Sequence, residues 1–172
     1  NIDHVCIETF KIIDVDIFIK IKNTLFFRIL VDHIKEGTQY LNYECLDYLY
    51  SNVSIGTLLE AFVYNCKTNN IKFIEYMINK KLIINESVFI DGLIHSSNFN
   101  IIYLLLNNEK YLLMDKNKLS DAIINLLYSL GENKQIVELL REYIKINNWY
   151  IKEDLSKCIS NSDENLNSML NK

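Results

Sequence analysis

The stretch Ile136-Val137-Glu138-Leu139-Leu140 has a simple pattern: two apolar residues, one variable residue and two further large residues. Three earlier stretches share this form, and the four stretches begin at positions 45, 73, 101 and 136. The first two spacings are equal, and we call this spacing the motif interval; the last spacing is a quarter longer. A motif that returns in this way is typical of stacked-repeat proteins. The three earlier stretches are Cys45-Leu46-Asp47-Tyr48-Leu49, Phe73-Ile74-Glu75-Tyr76-Met77 and Ile101-Ile102-Tyr103-Leu104-Leu105.

Composition narrows the class of protein and of partner. The chain has 172 residues, of which 49% are hydrophobic and 23% charged, so it is expected to fold into one globular domain. Its net charge is -4, whereas nucleic-acid-binding proteins usually carry an excess of basic residues, so no nucleic-acid partner is expected. No stretch approaches the roughly 18 apolar residues of a membrane span, so no membrane partner is expected either. The four cysteines have no paired spacing, which favours free thiols in a reducing, cytoplasmic compartment.

The repeated motif has helical periodicity. Between Ile71 and Ile78 the apolar residues fall at i, i+3, i+4 and i+7, which is one face of an α-helix. An apolar segment precedes each motif and opens with a hydroxyl residue that we expect to be its N-cap; Thr57 also has Glu60 at capping-box spacing. The repeat unit is therefore predicted as helix, short loop, helix. The predicted N-caps are Thr57, Ser87 and Ser120, and the predicted second helices are 71–78, 101–106 and 136–143.

We predict a single all-α domain over residues 1–172, a solenoid of helix pairs with degenerate end repeats. Its parts are an N-terminal cap (1–22), a degenerate repeat (24–52) with Glu36-Gly37 in its loop, clear repeats (57–145) and a C-terminal capping repeat (155–172). Within the cap, Val15, Ile17, Ile19 and Ile21 alternate with other residues at the period of a strand. On the second helices, Ile74, Ile102 and Val137 are equivalent positions and are expected to be buried.

The repeats resemble ankyrin repeats. Thr57-Leu58-Leu59-Glu60 is similar to the Thr-Pro-Leu-His start of that family's first helix, and Ile136-Val137-Glu138-Leu139-Leu140 to its second-helix Ile-Val-x-Leu-Leu-Leu. The chain departs from the family because no unit has the Pro or His, and because Phe62-Val63 replaces a small Ala-Ala pair. The 26 Ile, 22 Asn and absence of Pro fit an A/T-rich genome, and divergent ankyrin arrays of this composition look like those of large DNA viruses and protists.

This resemblance implies a scaffold that binds another protein, such as a host protein, and has no enzymatic activity. In the ankyrin register, Glu60, Tyr64 and Lys67 fall at or near the concave face and are the predicted partner-binding residues. No catalytic, cofactor-binding or metal-binding residue is predicted, because the chain has no Gly-rich phosphate loop and no metal-ligand spacing. The sequence identifies neither the partner nor the oligomeric state.

Two other functions stay open at this point. One is a compact Bcl-2-like bundle that inhibits apoptotic or innate immune signalling by binding an amphipathic helix. Such a bundle needs a long apolar central helix, for which the segment from Ile101 to Leu113 is the candidate. The other is an enzyme with an unrecognised site, such as a Cys-His pair brought together by the fold; a deep polar pocket would support it.

Overall fold

A computed structural model describes residues 2–80, 85–108, 115–130 and 133–146 of the chain. The elements in these ranges are all helical, without a strand, which confirms the all-α class. The chain divides into two compact units, Asn1–Tyr111 and Leu112–Lys172. The helices of the first unit are α1 (Ile2–Ile12), α2 (Val15–Ile21), α3 (Leu25–Asp32), α4 (Ile34–Gly37), a 3-10 turn (Thr38–Tyr40), α5 (Tyr43–Asn52), α6 (Ile55–Lys67), α7 (Ile71–Asn79), α8 (Glu86–His95) and α9 (Phe99–Leu106); those of the second are α10 (Lys116–Leu130) and α11 (Lys134–Ile146).

An Asp or Asn side chain starts each helix that carries the repeated motif. In every case the Oδ1 atom accepts a hydrogen bond from the backbone N–H three residues later, at 2.8 to 3.4 Å. This bond satisfies one of the free amides of a first helical turn and fixes the residue at which the helix begins. The capping residues recur at the motif interval, again with a longer last step: Asp14, Asn42, Asn70, Asn98 and Asn133.

The hydroxyl N-caps predicted from the sequence are wrong. Helix α6 is capped by Ser54, whose Oγ accepts from the Thr57 N–H at 3.1 Å, so that Thr57 already lies in the first turn. Helix α8 is capped by Asn85 rather than by Ser87. Ser120 lies inside α10. In each case the helix begins earlier than predicted. Because Thr57 is not an N-cap, the predicted capping box of Thr57 and Glu60 is wrong as well.

The strand-like alternation near the N-terminus is also a wrong indication, because residues Val15–Ile21 form helix α2. Asp14 caps this helix, and Phe18 is its buried residue, whereas Ile17 and Ile19 are exposed. The stretch Ile17-Phe18-Ile19-Lys20-Ile21 is a further copy of the repeated motif, one motif interval upstream of Cys45. The alternation arises because the variable position of this copy holds an isoleucine.

The Glu36-Gly37 pair lies in helix α4, not in a loop as predicted. Gly37 is fully enclosed: a Cβ atom there would collide with the ring of Phe10 on α1. The glycine is therefore a site of close helix approach rather than a turn residue. The predicted C-terminal capping repeat, 155–172, lies outside the described residues.

The first helix of each pair packs on the first helix of the next pair within the first unit. Helix α4 contacts both α1 and α6, and α6 also contacts α8. Two of these contacts place a glycine of the later helix against a phenylalanine ring of the earlier one, and the third is a hydrogen bond between polar side chains. Gly37 faces Phe10, Asn65 on α6 bonds Thr38, and a Cβ on Gly92 of α8 would lie 2.7 Å from the Phe62 ring. The second helices are also in contact, α2 with α5 and α7 with α9.

Asn65 joins α4 and α6 by hydrogen bonds in the interior. Its side chain is buried, and its Nδ2 donates to Thr38 Oγ1 at 2.8 Å and to Ala61 O at 2.7 Å. Its Oδ1 accepts from Asn70 Nδ2 at 2.6 Å. Because Asn70 caps α7, one connected network holds two consecutive first helices and the start of a second helix. A buried amide is stable only when its partners are present, so this network fixes the helices relative to each other.

In the described part of the second unit, α10 packs on α11. Each helix contributes one buried apolar side. These residues are Leu119, Ala122, Ile123 and Leu126 on α10, and Ile136, Val137 and Leu140 on α11.

The burial predicted for the equivalent positions Ile74, Ile102 and Val137 is confirmed. We expect replacement of any one of them by Asp to cost about 3 to 5 kcal/mol of unfolding free energy, because an unpaired charge would be buried. Ile19→Asp, at an exposed position, is the control and should change it by less than about 0.5 kcal/mol. Urea denaturation checks this; a wild-type midpoint for Ile74→Asp would contradict the packing described here.

The Asn65 network makes a second prediction for stability. Asn65→Ala removes the hydrogen bonds to Thr38 and Asn70 and leaves a cavity, so we expect a loss of about 2 to 3 kcal/mol. Asn107 is the matched control, because its Nδ2 bonds the Tyr103 carbonyl in an exposed position. Asn107→Ala should cost less than about 0.5 kcal/mol. Equal urea midpoints for the two variants would show that the buried amide is not what holds α4 to α6.

Candidate binding face

The three predicted partner-binding residues lie on one side of helix α6. Glu60 and Lys67 are exposed and Tyr64 is half-buried. Their spacing of i, i+4 and i+7 places them in one stripe along the helix. We call this stripe, with the exposed and half-buried polar groups at equivalent positions on α1, α4, the 3-10 turn and α8, the first-helix face.

The half-buried Tyr64 is more enclosed than the other tyrosine of the first-helix face, Tyr40, which is 40% exposed. Burial, followed by the negative charge of Glu36 and the neighbouring Tyr40, raises the pKa of the Tyr64 phenol. The hydroxyl is therefore protonated at neutral pH and can donate a hydrogen bond. Glu36 contributes a carboxylate whose Oε1 lies 3.8 Å from Lys35 Nζ and whose Oε2 has no hydrogen-bond partner among the described residues.

Tyr40 and α1 extend the face beyond α6. The Lys11 ammonium lies 5.4 Å from the centre of the Tyr40 ring, within range of a cation–π contact. Lys11 Nζ also bonds Glu8 Oε1 at 2.6 Å. This hydrogen bond lowers the pKa of Glu8 and raises that of Lys11, so both groups carry their charge at neutral pH. The face thus combines tyrosine rings with charges of both signs.

Sequence reasoning missed the residues outside α6, although the motif interval contains the signal. Counting back from Tyr64 by that interval gives Glu36 and Glu8. Counting from Lys67 in both directions gives one exposed polar residue at each motif interval: Lys11 on α1, Gln39 in the 3-10 turn, Lys67 on α6 and His95 on α8. The interval therefore predicts whole rows of side chains and not only the three on α6.

Tyr43 and Tyr76, on the second helices α5 and α7, have structural roles. Tyr76 donates a hydrogen bond from its hydroxyl to Asp47 Oδ1 at 2.9 Å, which joins α7 to α5. Lys80 bonds the same carboxylate, and this bond, with that of Tyr76, lowers the pKa of Asp47. The Lys72 ammonium lies 5.4 Å from the centre of the Tyr43 ring and also bonds the Leu41 carbonyl. These contacts hold consecutive pairs together and leave fewer groups free for a partner.

The described residues offer no clear nucleophile or metal ligand set. No group of three or more His, Cys, Asp or Glu is arranged to hold a metal ion in the described part of the chain. Cys6, Cys45 and Cys66 are buried free thiols, and burial raises the pKa of each. A raised pKa keeps the sulfur protonated at neutral pH, where it is a poor nucleophile. Within the same residues, every helix is too short or too polar to cross a membrane.

Burial of the thiols predicts slow modification. Cys66 has no accessible surface, so a thiol reagent should reach it only when α6 opens or the protein unfolds. We expect labelling of Cys66 by N-ethylmaleimide at pH 7 to be slower than in 6 M urea by a factor on the order of 1,000 or more. Mass spectrometry of the Cys66 peptide measures both rates. Comparable rates in native and denatured protein would contradict the packing of α6 between α4 and α8.

Comparisons of the chain with protein-family models, with curated proteins and with solved structures find no match. The resemblance to ankyrin repeats therefore stays a prediction that rests on the residues of this chain. The assignment of Glu60, Tyr64 and Lys67 to partner binding also stays a prediction.

Proposed function

We propose that this chain is an ankyrin-like repeat scaffold that binds another protein through the first-helix face. The observation that carries this proposal is the row of exposed polar side chains at one equivalent position of four successive helix pairs: Lys11, Gln39 in the 3-10 turn, Lys67 and His95. Repeat proteins use such rows because each repeat adds a few contacts to one extended surface. The proposal places no chemistry on the chain beyond binding.

The helix contacts support the repeat architecture in this proposal. Each second helix begins at an Asp or Asn cap, and the caps from Asp14 to Asn98 follow one another at the motif interval. First helices contact first helices in chain order, α1 to α4 to α6 to α8. Such nearest-neighbour contacts are what a stack of repeats requires.

The first-helix face favours a polar protein surface over an apolar peptide. Its charges include Glu8, Lys11, Glu36 and Lys67, with Tyr64 as the most enclosed ring. Tyrosines surrounded by mixed charges often dominate binding energy, because the ring excludes water while its hydroxyl still bonds. Buried free thiols fit a reducing compartment such as the cytoplasm of a host cell.

The Bcl-2-like alternative has less support from the structure. Its candidate central helix, from Ile101 to Leu113, ends at Leu106, where the Asn107 N–H bonds the carbonyls of Tyr103 and Leu105. Residues 109–114 lie outside the described ranges. An eight-residue helix is too short to serve as the centre of a groove-bearing bundle.

The test is a binding titration after the partner has been identified by cross-linking from the face itself. A photo-cross-linking residue at position 67 should capture the partner, while one at Tyr103, an exposed tyrosine on α9, should not. The double variant Tyr64→Ala with Lys67→Ala should then weaken binding by about 2 to 4 kcal/mol, because it removes an aromatic anchor and a charge.

The matched control is Tyr103→Ala with Lys20→Ala, which removes an exposed tyrosine and an exposed lysine from the second helices α9 and α2. It should leave affinity within a factor of about 3, since exposed residues outside an interface contribute little. Urea denaturation must show that both double variants fold. Equal affinity of the two would remove the first-helix face from the proposal, and turnover of a small substrate by purified protein would overturn the scaffold itself.

A further inference from the structure

Each of the first helices α4, α6 and α8 presents one side to the first helix of the preceding pair. We call this side the leading side. On α6 this leading side carries Leu58, Ala61 and Asn65, at i, i+3 and i+7. Asn65 bonds Thr38 and the Lys35 carbonyl, so the stripe lies against α4. All three residues are buried, with Leu58 at 3% and Ala61 at 0% exposure.

Helix α1 carries the same stripe without a described helix on it. Ile2, Val5 and Thr9 lie two motif intervals before Leu58, Ala61 and Asn65. The local bonding also matches: Thr9 Oγ1 donates to the Val5 carbonyl at 2.8 Å, as Asn65 Nδ2 donates to the Ala61 carbonyl at 2.7 Å. Yet Ile2 is 63% exposed and Val5 is 55% exposed.

Helix α2 also exposes an apolar residue whose equivalents on later helices are buried. Its Ile17 is 38% exposed, whereas the equivalent residues of the following second helices, Cys45, Phe73 and Ile101, are buried. The leading side of the α1–α2 pair therefore exposes apolar groups at positions that are mostly buried in the later pairs of the first unit. Among the equivalents of Ile2 and Val5, Leu30, Leu58, Ala61 and Phe89 are buried, and His33 and Glu86 are half-buried. Isolated exposed apolar residues are ordinary, but a stripe of them at positions buried elsewhere indicates a contact surface.

We propose that the leading side of α1–α2 is the surface on which one more helix pair of the same repeat type packs, in the way that α4–α5 packs against α6–α7. The occupant is a helix pair because the stripe continues the row of first-helix contacts that joins α1, α4, α6 and α8. It must offer an apolar side chain to Ile2 and Val5 and a hydroxyl or amide to Thr9. Helix α4, which contacts α6, carries the buried Ile34, and the 3-10 turn after it supplies the Thr38 hydroxyl that bonds Asn65.

The inference depends on the repeat architecture of the proposed function but not on the first-helix face as a binding site. Its test measures folding, so the failure of partner binding and the failure of stacking are told apart. The full chain is extended by a second copy of residues 24–56, placed directly before Asn1. The copied α4–α5 pair then precedes Ile2 in the register in which the original precedes Leu58.

We expect the added helices to fold and to protect α1. Hydrogen exchange of α1 amides should slow on the order of tenfold or more relative to the unextended chain, and the urea midpoint should rise, because Ile2 and Val5 leave water. Val5→Asp in the extended chain should abolish both effects, since the charge would be enclosed. In the unextended chain the same substitution should leave the urea midpoint unchanged, which shows that the variant itself folds.

Ile19→Asp is the matched control for the extended chain. Ile19 is 56% exposed, as Val5 is, but its equivalents on the following second helices include the charged residues Asp47 and Glu75. The gain in protection should therefore survive this substitution. Absence of protection, or a gain that survives Val5→Asp, overturns the proposal. A dimer of the unextended chain that Val5→Asp dissociates would also overturn it, because a second copy would then occupy the face.

Discussion

The buried amide of Asn65 is the interaction on which the arrangement of the first unit depends most. It bonds Thr38, in the 3-10 turn after α4, and Asn70, the N-cap of α7. One side chain therefore sets the distance between two consecutive helix pairs and also the position of α7 relative to α6. A leucine side chain could fill this volume, but it forms no directional hydrogen bonds and so would not select one rotation of α4 on α6. The amide accepts only the arrangement in which its partners are present, and this makes the contact specific.

Close approach at two other contacts completes the row of first helices. Gly37 admits the ring of Phe10, and Gly92 admits the ring of Phe62, so a large side chain of one helix fills the space left by a glycine of the next. Because α4 and α6 are each packed between two other first helices, their remaining side is free for polar residues. The first-helix face, with Tyr64 at its centre, is thus a consequence of how the helices pack.

The sequence contains enough to predict the helix class, the second helices and their buried positions, because the apolar motif returns at a fixed interval. It predicts the first helices less well. Ser54 and Asn85, not Thr57 and Ser87, begin α6 and α8, and a capping residue can be identified only when the first bonded turn is known. The ankyrin register is enough to predict Tyr64 as a residue of the first-helix face. Its enclosure beside Glu36 and Tyr40 could not be predicted, because it depends on α4, and the sequence predicts a loop at Glu36-Gly37 of that helix.

Deletion of one motif interval tests the central claim, that the chain is a stack of equivalent helix pairs, most directly. Removal of residues 57–84 joins position 56 to Asn85, which lies one motif interval after Thr57, so that α8 takes the place of α6 behind α4. The account predicts that the shortened chain still unfolds cooperatively in urea, at a lower midpoint, with the helical circular dichroism expected for its length. Removal of half an interval, residues 57–70, should abolish cooperative unfolding. If both deletions unfold the chain alike, its helices are not interchangeable pairs and the repeat account is wrong.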